Sequence, residues 1–103
     1  MQTENIKTDV QFRMLKGEVI AVFPYQIEGI DEVGSYMHIG QHSACSWDIN
    51  TFTTAANPKQ YEALKRELEG IGYILNVIKR RNHTKYLKTL YSEKVKRYNQ
   101  QFN

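Results

Sequence analysis

Two apolar runs divided by a single break constrain the fold more than any other feature of this chain. Val10, Phe12 and Met14 alternate with Gln11 and Arg13, which is the period of a half-buried strand. Lys16-Gly17 interrupts the pattern, and Val19-Ile20-Ala21-Val22-Phe23 then runs on to Pro24. A strand with one polar face followed by a strand with none predicts a tight hairpin at Lys16-Gly17, its second strand covered on both faces.

Pro24 is expected to stop that strand. Tyr25 to Gly34 then reads as a loop with an acidic stretch, Glu28, Asp31 and Glu32, and a third strand runs from Ser35 to about Gln41. Ser43, Ala44, Cys45 and Ser46 suit several backbones, whereas Trp47 to Thr54 has the aromatic and β-branched content of a fourth strand. Asn57-Pro58-Lys59-Gln60 is the clearest boundary, with a capping Asn, a Pro at the first helical position and a Gln three residues after the cap. Tyr61, Leu64 and Leu68 fall on one face of the helix that starts there, and Gly70 is the residue expected to end it.

Tyr73 to Ile78 reads as a further strand. Asn82 or Thr84 can cap a last helix over about residues 83–101, in which Leu87, Leu90, Tyr91, Val95 and Tyr98 form an apolar stripe expected to be core. The order is β-β-β-β-α-β-α. Strands that precede the helices predict an α+β fold, a mainly antiparallel sheet of four to five strands with the helices packed on one face. At 103 residues and 41% hydrophobic content, the chain fits one domain over residues 10–103 after a flexible tail over residues 1–9.

The lone Cys45 cannot close an intramolecular disulfide. The start of the chain has neither a basic nor an apolar region of the kind that directs export, and no apolar run approaches a membrane span. A cytoplasmic protein without membrane contact is expected.

One local cluster carries reactive side chains, His38-Ile39-Gly40-Gln41-His42-Ser43-Ala44-Cys45. On an extended chain His38 and His42 share a face with about 13 Å between their backbones. A bend at Gly40 is needed before they and Cys45 can share a zinc ion, and a fourth ligand is missing. Cys45 as nucleophile with His42 as base lacks any oxyanion-hole signature. The plainer reading has Tyr36, His38 and Gln41 hydrogen-bonding along a strand and Cys45 as a small buried hydrophobe. Gly17, Gly29, Gly34, Gly40, Gly70 and Gly72 each have a local turn, bulge or cap role. No catalytic residue, metal ligand or cofactor is assigned.

Charge is the feature that speaks to function. Residues 1 to 78 hold 6 basic against 10 acidic residues, while residues 79 to 103 hold 8 basic against 1 acidic. A positive end on a mildly acidic body attracts a polyanion or an acidic protein surface. Lys79, Arg80, Arg81, Lys85, Lys88 and Lys96 are the candidate contacts to nucleic acid or an acidic partner. Tyr86 and His83 lie among them as candidates to stack on bases.

Three stretches resemble uncharacterised small proteins encoded on conjugative elements and phages of gut bacteria. They are residues 12–24 (Phe12-Arg13-Met14-Leu15-Lys16-Gly17-Glu18 through Pro24), residues 35–45 (Ser35-Tyr36-Met37-His38 through Cys45), and Tyr61 through Tyr73. The likeness spans roughly residues 12 to 80. It implies an accessory protein of a mobile element and carries over no activity or site residues.

The expectation is therefore a small non-enzymatic accessory binding protein that contacts nucleic acid or an acidic partner through its basic C-terminal region. The alternative is a protein–protein interaction module presenting Tyr36, His38 and His42 with the acidic loop. An enzyme or metal site centred on His38, His42 and Cys45 stands third. The oligomeric state is left open.

Overall fold

Lys16 and Gly17 both take positive φ, 50° and 84°, and join β1 (Thr8–Leu15) to β2 (Glu18–Gly29) through a two-residue turn. Two central residues with positive φ match the right-handed twist of the paired strands, and Gly17 adopts that conformation without steric cost. The computed structural model describes residues 6–38 and 40–102. After the hairpin come β3 (Glu32–Tyr36), β4 (His42–Ser46), a 3-10 turn over Trp47–Thr51, β5 (Thr54–Ala55), α1 (Pro58–Ile71), β6 (Leu75–Val77) and α2 (His83–Phe102).

The fold is α+β, as expected, with an antiparallel sheet in the order β4-β3-β2-β1-β5 and β6 added parallel to β1. Pro24 does not stop β2. Pairing with β3 is regular at Phe23↔Gly34 and resumes at Ile27↔Val33 after an irregular step, and a residue without an N–H is tolerated at such a step. The stretch read as an acidic loop is therefore mostly strand, and the chain reverses at Ile30-Asp31, where Asp31 takes φ 57°. Asp enters that conformation more readily than most residues.

The helices do not share one face. Val10, Phe12, Ala21, Phe23 and Tyr36 pack under Leu64 and Leu68 of α1. On the opposite face Ile20, Val22 and Val33 pack under Ile49 and Tyr86 of α2. This is why Val19 to Phe23 can be apolar without alternation. It also buries the polar side of β1: Gln11 is only 1% exposed. Its amide donates to the Lys79 carbonyl at 2.9 Å and accepts from Asn50 Nδ2 at 3.3 Å, which offsets the desolvation of the amide.

Trp47–Thr51 is not a strand. Ser46 Oγ accepts from the Asp48 N–H at 3.1 Å and opens the 3-10 turn. Thr51 and Thr53 hydroxyls donate back to the carbonyls of Asp48 and Ile49 at 2.8 Å each. Short polar side chains that bond locally outcompete the β-branched signal here.

The cap of α1 is as read from the sequence. Asn57 Oδ1 accepts from the Gln60 N–H and Gln60 Oε1 accepts from the Asn57 N–H, both at 2.9 Å. The helix end is at Gly72, φ 126°, and not at Gly70. There the Tyr73 N–H donates to the Leu68 carbonyl at 3.1 Å, the closing bond of a Schellman turn. This ending lays Tyr73 against the core beside Leu68; an ending at Gly70 forgoes that burial.

Asn82 caps α2 through its side chain, which accepts from the Lys85 N–H at 3.0 Å. Thr8 and Asp9 belong to β1, so order starts before residue 10. Residues 1–5 of the expected tail lie outside the described residues.

Candidate functional site

α2 is fastened to the body by its first two turns. The Asn82 N–H donates to the Tyr25 hydroxyl at 2.7 Å. The Tyr86 ring stacks on Trp47 with centroids 3.8 Å apart, and Leu90 packs on the same cluster. Tyr86 is buried, so it is not a platform for bases. Trp47 is also covered by Arg81, whose guanidinium carbon lies 3.8 Å from a ring centroid of the indole and whose Nη1 donates to the Trp47 carbonyl. Burial and the nearby Arg13 guanidinium lower the Arg81 pKa.

The six basic candidates therefore divide. Arg81 is a packing residue. Lys85 is engaged by Asp9 at 2.9 Å and lies 4.4 Å from the Tyr25 ring centroid. The Asp9 hydrogen bond raises the Lys85 pKa. Burial works to raise the Asp9 pKa, but hydrogen bonds from Asn76 and Lys85 outweigh it and hold the carboxyl low. Lys96 lies 3.7 Å from Glu93. Lys79, Arg80 and Lys88 are exposed, and among the described residues none of them forms an ion pair. The same holds for Lys94 and Arg97.

Of the stripe expected to be core, Leu90 packs on the body and the other four residues are exposed. Leu87 is 48% exposed, Tyr91 70%, Val95 38% and Tyr98 62%. The helix has two apolar faces, Tyr86 with Leu90 inward and Leu87, Tyr91 and Val95 outward. The two sets adjoin on the helix surface, since Leu87 and Leu90 are three residues apart, so spacing alone gave no signal of which side would be covered.

Of Tyr36, His38 and His42, the two histidines are exposed and Tyr36 is not. Tyr36 is fully buried; its hydroxyl donates to Glu67 and accepts from the Gly40 N–H at 2.8 Å. The Glu67 hydrogen bond and burial raise its pKa. His38 Nδ1 meets the other oxygen of Glu67 at 2.8 Å. His42 Nε2 lies 2.9 Å from the Tyr73 hydroxyl, and its ring centroid is 4.6 Å from that of Tyr36. These groups tie the β3–β4 connection to α1 and to the segment after it. Glu67 and Tyr73, distant in sequence, had no local motif to reveal them.

Cys45 does not join them. His42 pairs with Tyr36 in the ladder and Cys45 with Val33, and the alternation of the strand sends those two positions to opposite faces. Burial raises the Cys45 pKa, which disfavours the thiolate a nucleophile or metal ligand needs. Among the described residues no three His, Cys, Asp or Glu side chains converge on a metal position.

A cleft of about 250 Å³ lies where β5 and β6 leave part of β1 uncovered, between Phe12, Tyr61 and Val77, with Gln11, Arg13 and Lys79 as its polar members. Among the described residues no helix is long and apolar enough to cross a membrane. No family model, curated protein or solved structure matches the chain.

Proposed function

We propose that this chain is a small non-enzymatic binding protein of the cytoplasm that docks on an anionic macromolecular partner through residues 79–97. The observation that carries the reading is the set of exposed cations Lys79, Arg80, Lys88, Lys94 and Arg97, which have no carboxylate partner among the described residues. Cations held in salt bridges have little left for a ligand, whereas these five keep their full field. Arg81 and Lys85 serve the fold and position the segment. An accessory role on a mobile element, as the resemblance of residues 12–80 implies, suits a binding protein of this kind.

Heparin-affinity chromatography tests the reading with a partner-independent polyanion. The protein is expected to be retained at 50 mM salt, and the variant Lys79→Glu/Arg80→Glu/Lys88→Glu to pass through while keeping its circular dichroism spectrum. Flow-through of the unmodified protein, or equal retention of the variant, refutes the reading.

A further inference from the structure

Leu87, Tyr91 and Val95 stand one helical turn apart and point outward from the body. Tyr98 extends the line by another turn, for a length of about 16 Å at the rise of an α-helix. At about 100° per residue these side chains span an arc of roughly 80°, with Lys94 at one edge and Lys88 at the other. A narrow apolar seam edged by cations on both sides differs from a solvated helix face, which has no seam, and from a buried one, which has no exposed edge.

We infer that the occupant of this seam is an amphipathic helix of a partner protein, apolar along one stripe and acidic on its flanks. The inference rests on the proposal that residues 79–97 bind an anionic partner, and it names the class of that partner. Apolar side chains at i, i+4 and i+8 are the pattern by which one helix lies along another. Lys88 and Lys94 then meet carboxylates at the rim, where charge sets partner choice.

Other occupants fit less well. A second copy docked through the same seam brings Lys88 and Lys94 of each copy against a rim that carries no acid, Glu93 being the only one between His83 and Phe102. A nucleic-acid backbone answers the lysines and leaves Leu87 and Val95 in water. A bilayer surface calls for a broader apolar face, rich in Trp, Phe or Leu, than a seam of two tyrosines, one leucine and one valine.

The test uses the full chain and a fluorescein-labelled peptide of 18 residues designed with a leucine stripe at helical spacing and glutamates on both flanks. A scrambled peptide of the same composition, a 20-base-pair DNA duplex and phosphatidylglycerol vesicles serve as competitors. The designed peptide is expected to bind at least about tenfold tighter than its scramble, and Tyr91→Ser/Val95→Ser to remove that preference. The variant changes only exposed positions, and its unfolding midpoint is checked against the parent. The protein is expected to sediment as a monomer. The inference is overturned by equal binding of both peptides, by no effect of the variant, by DNA or vesicles displacing the peptide at lower concentration than the unlabelled peptide does, or by a dimer that Tyr91→Ser/Val95→Ser splits. Heparin retention with failure of the peptide condemns this inference alone; loss of both condemns the binding reading beneath it.

Discussion

The ring of Tyr86 lies flat on the ring of Trp47, centroids 3.8 Å apart and planes 16° from parallel, and this stack joins the last helix to the 3-10 turn over Trp47–Thr51. Trp47→Ala removes the partner of both Tyr86 and Arg81. It is expected to cost about 3 kcal/mol in chemical denaturation. Tyr86→Phe has the opposite sign. The buried Tyr86 hydroxyl has no hydrogen-bond partner among the described residues, so deleting it while keeping the ring should gain about 1 kcal/mol. A loss of stability on Tyr86→Phe would show that the hydroxyl is satisfied.

The two glycines at the end of α1 provide a second test. Gly70 is within the helix and Gly72 closes it at φ 126°, with open space around both positions. Gly70→Ala should therefore stabilise by up to about 1 kcal/mol, and Gly72→Ala should destabilise by about 1 kcal/mol or more because alanine resists that conformation. Reversed signs in urea denaturation would place the helix end at Gly70.

Asn57→Ala removes the acceptor for the Gln60 N–H and the reciprocal bond loses its register. A shift of about 1 kcal/mol is expected, carried by the midpoint and not the slope.

Acid stability should depend on Asp9. Its pKa is lowered in the folded chain, so its contribution is present above the ordinary aspartate value of about 3.9 and is lost as pH falls through the lower folded value. The pair with Lys85 is partly exposed, which limits the effect to about 1 kcal/mol or less. Asp9→Asn should flatten the fall in unfolding midpoint below about pH 4. A parallel curve for parent and variant excludes this role.

Arg81 and Lys88 separate fold from function. Arg81→Ala should lower stability by about 1–2 kcal/mol through the lost contact with Trp47 and change heparin elution little. Lys88→Ala should do the reverse.

The parts of the fold legible in the sequence are those set by local chemistry. The Lys16-Gly17 turn, the Asn57 capping box and the Asn82 cap each need only neighbouring residues. What misled was context. Gln11 and Arg13 look like a solvent face, yet segment 47–53 supplies their partners, so polar alternation concealed a second covered face. Ile49, Thr51 and Thr53 have strand-forming side chains, but Ser46 and the threonine hydroxyls close a 3-10 turn. Gly70 and Gly72 are equivalent by composition, and the burial of Tyr73 beside Leu68 decides between them. At the candidate site the cations of segment 79–97 were visible as composition. Which of them remain unpaired was not, because Asp9 and Trp47 come from the other end of the chain and from the middle.

The most direct measurement of the central claim is the affinity for a defined polyanion, heparin, at 50 and 200 mM salt. Neutralising about five cations releases a comparable number of counterions, and affinity should fall roughly a hundredfold or more between the two conditions. The Lys79→Glu/Arg80→Glu/Lys88→Glu variant should show little binding at either. An affinity that does not change with salt, or one that survives those three substitutions, contradicts the account.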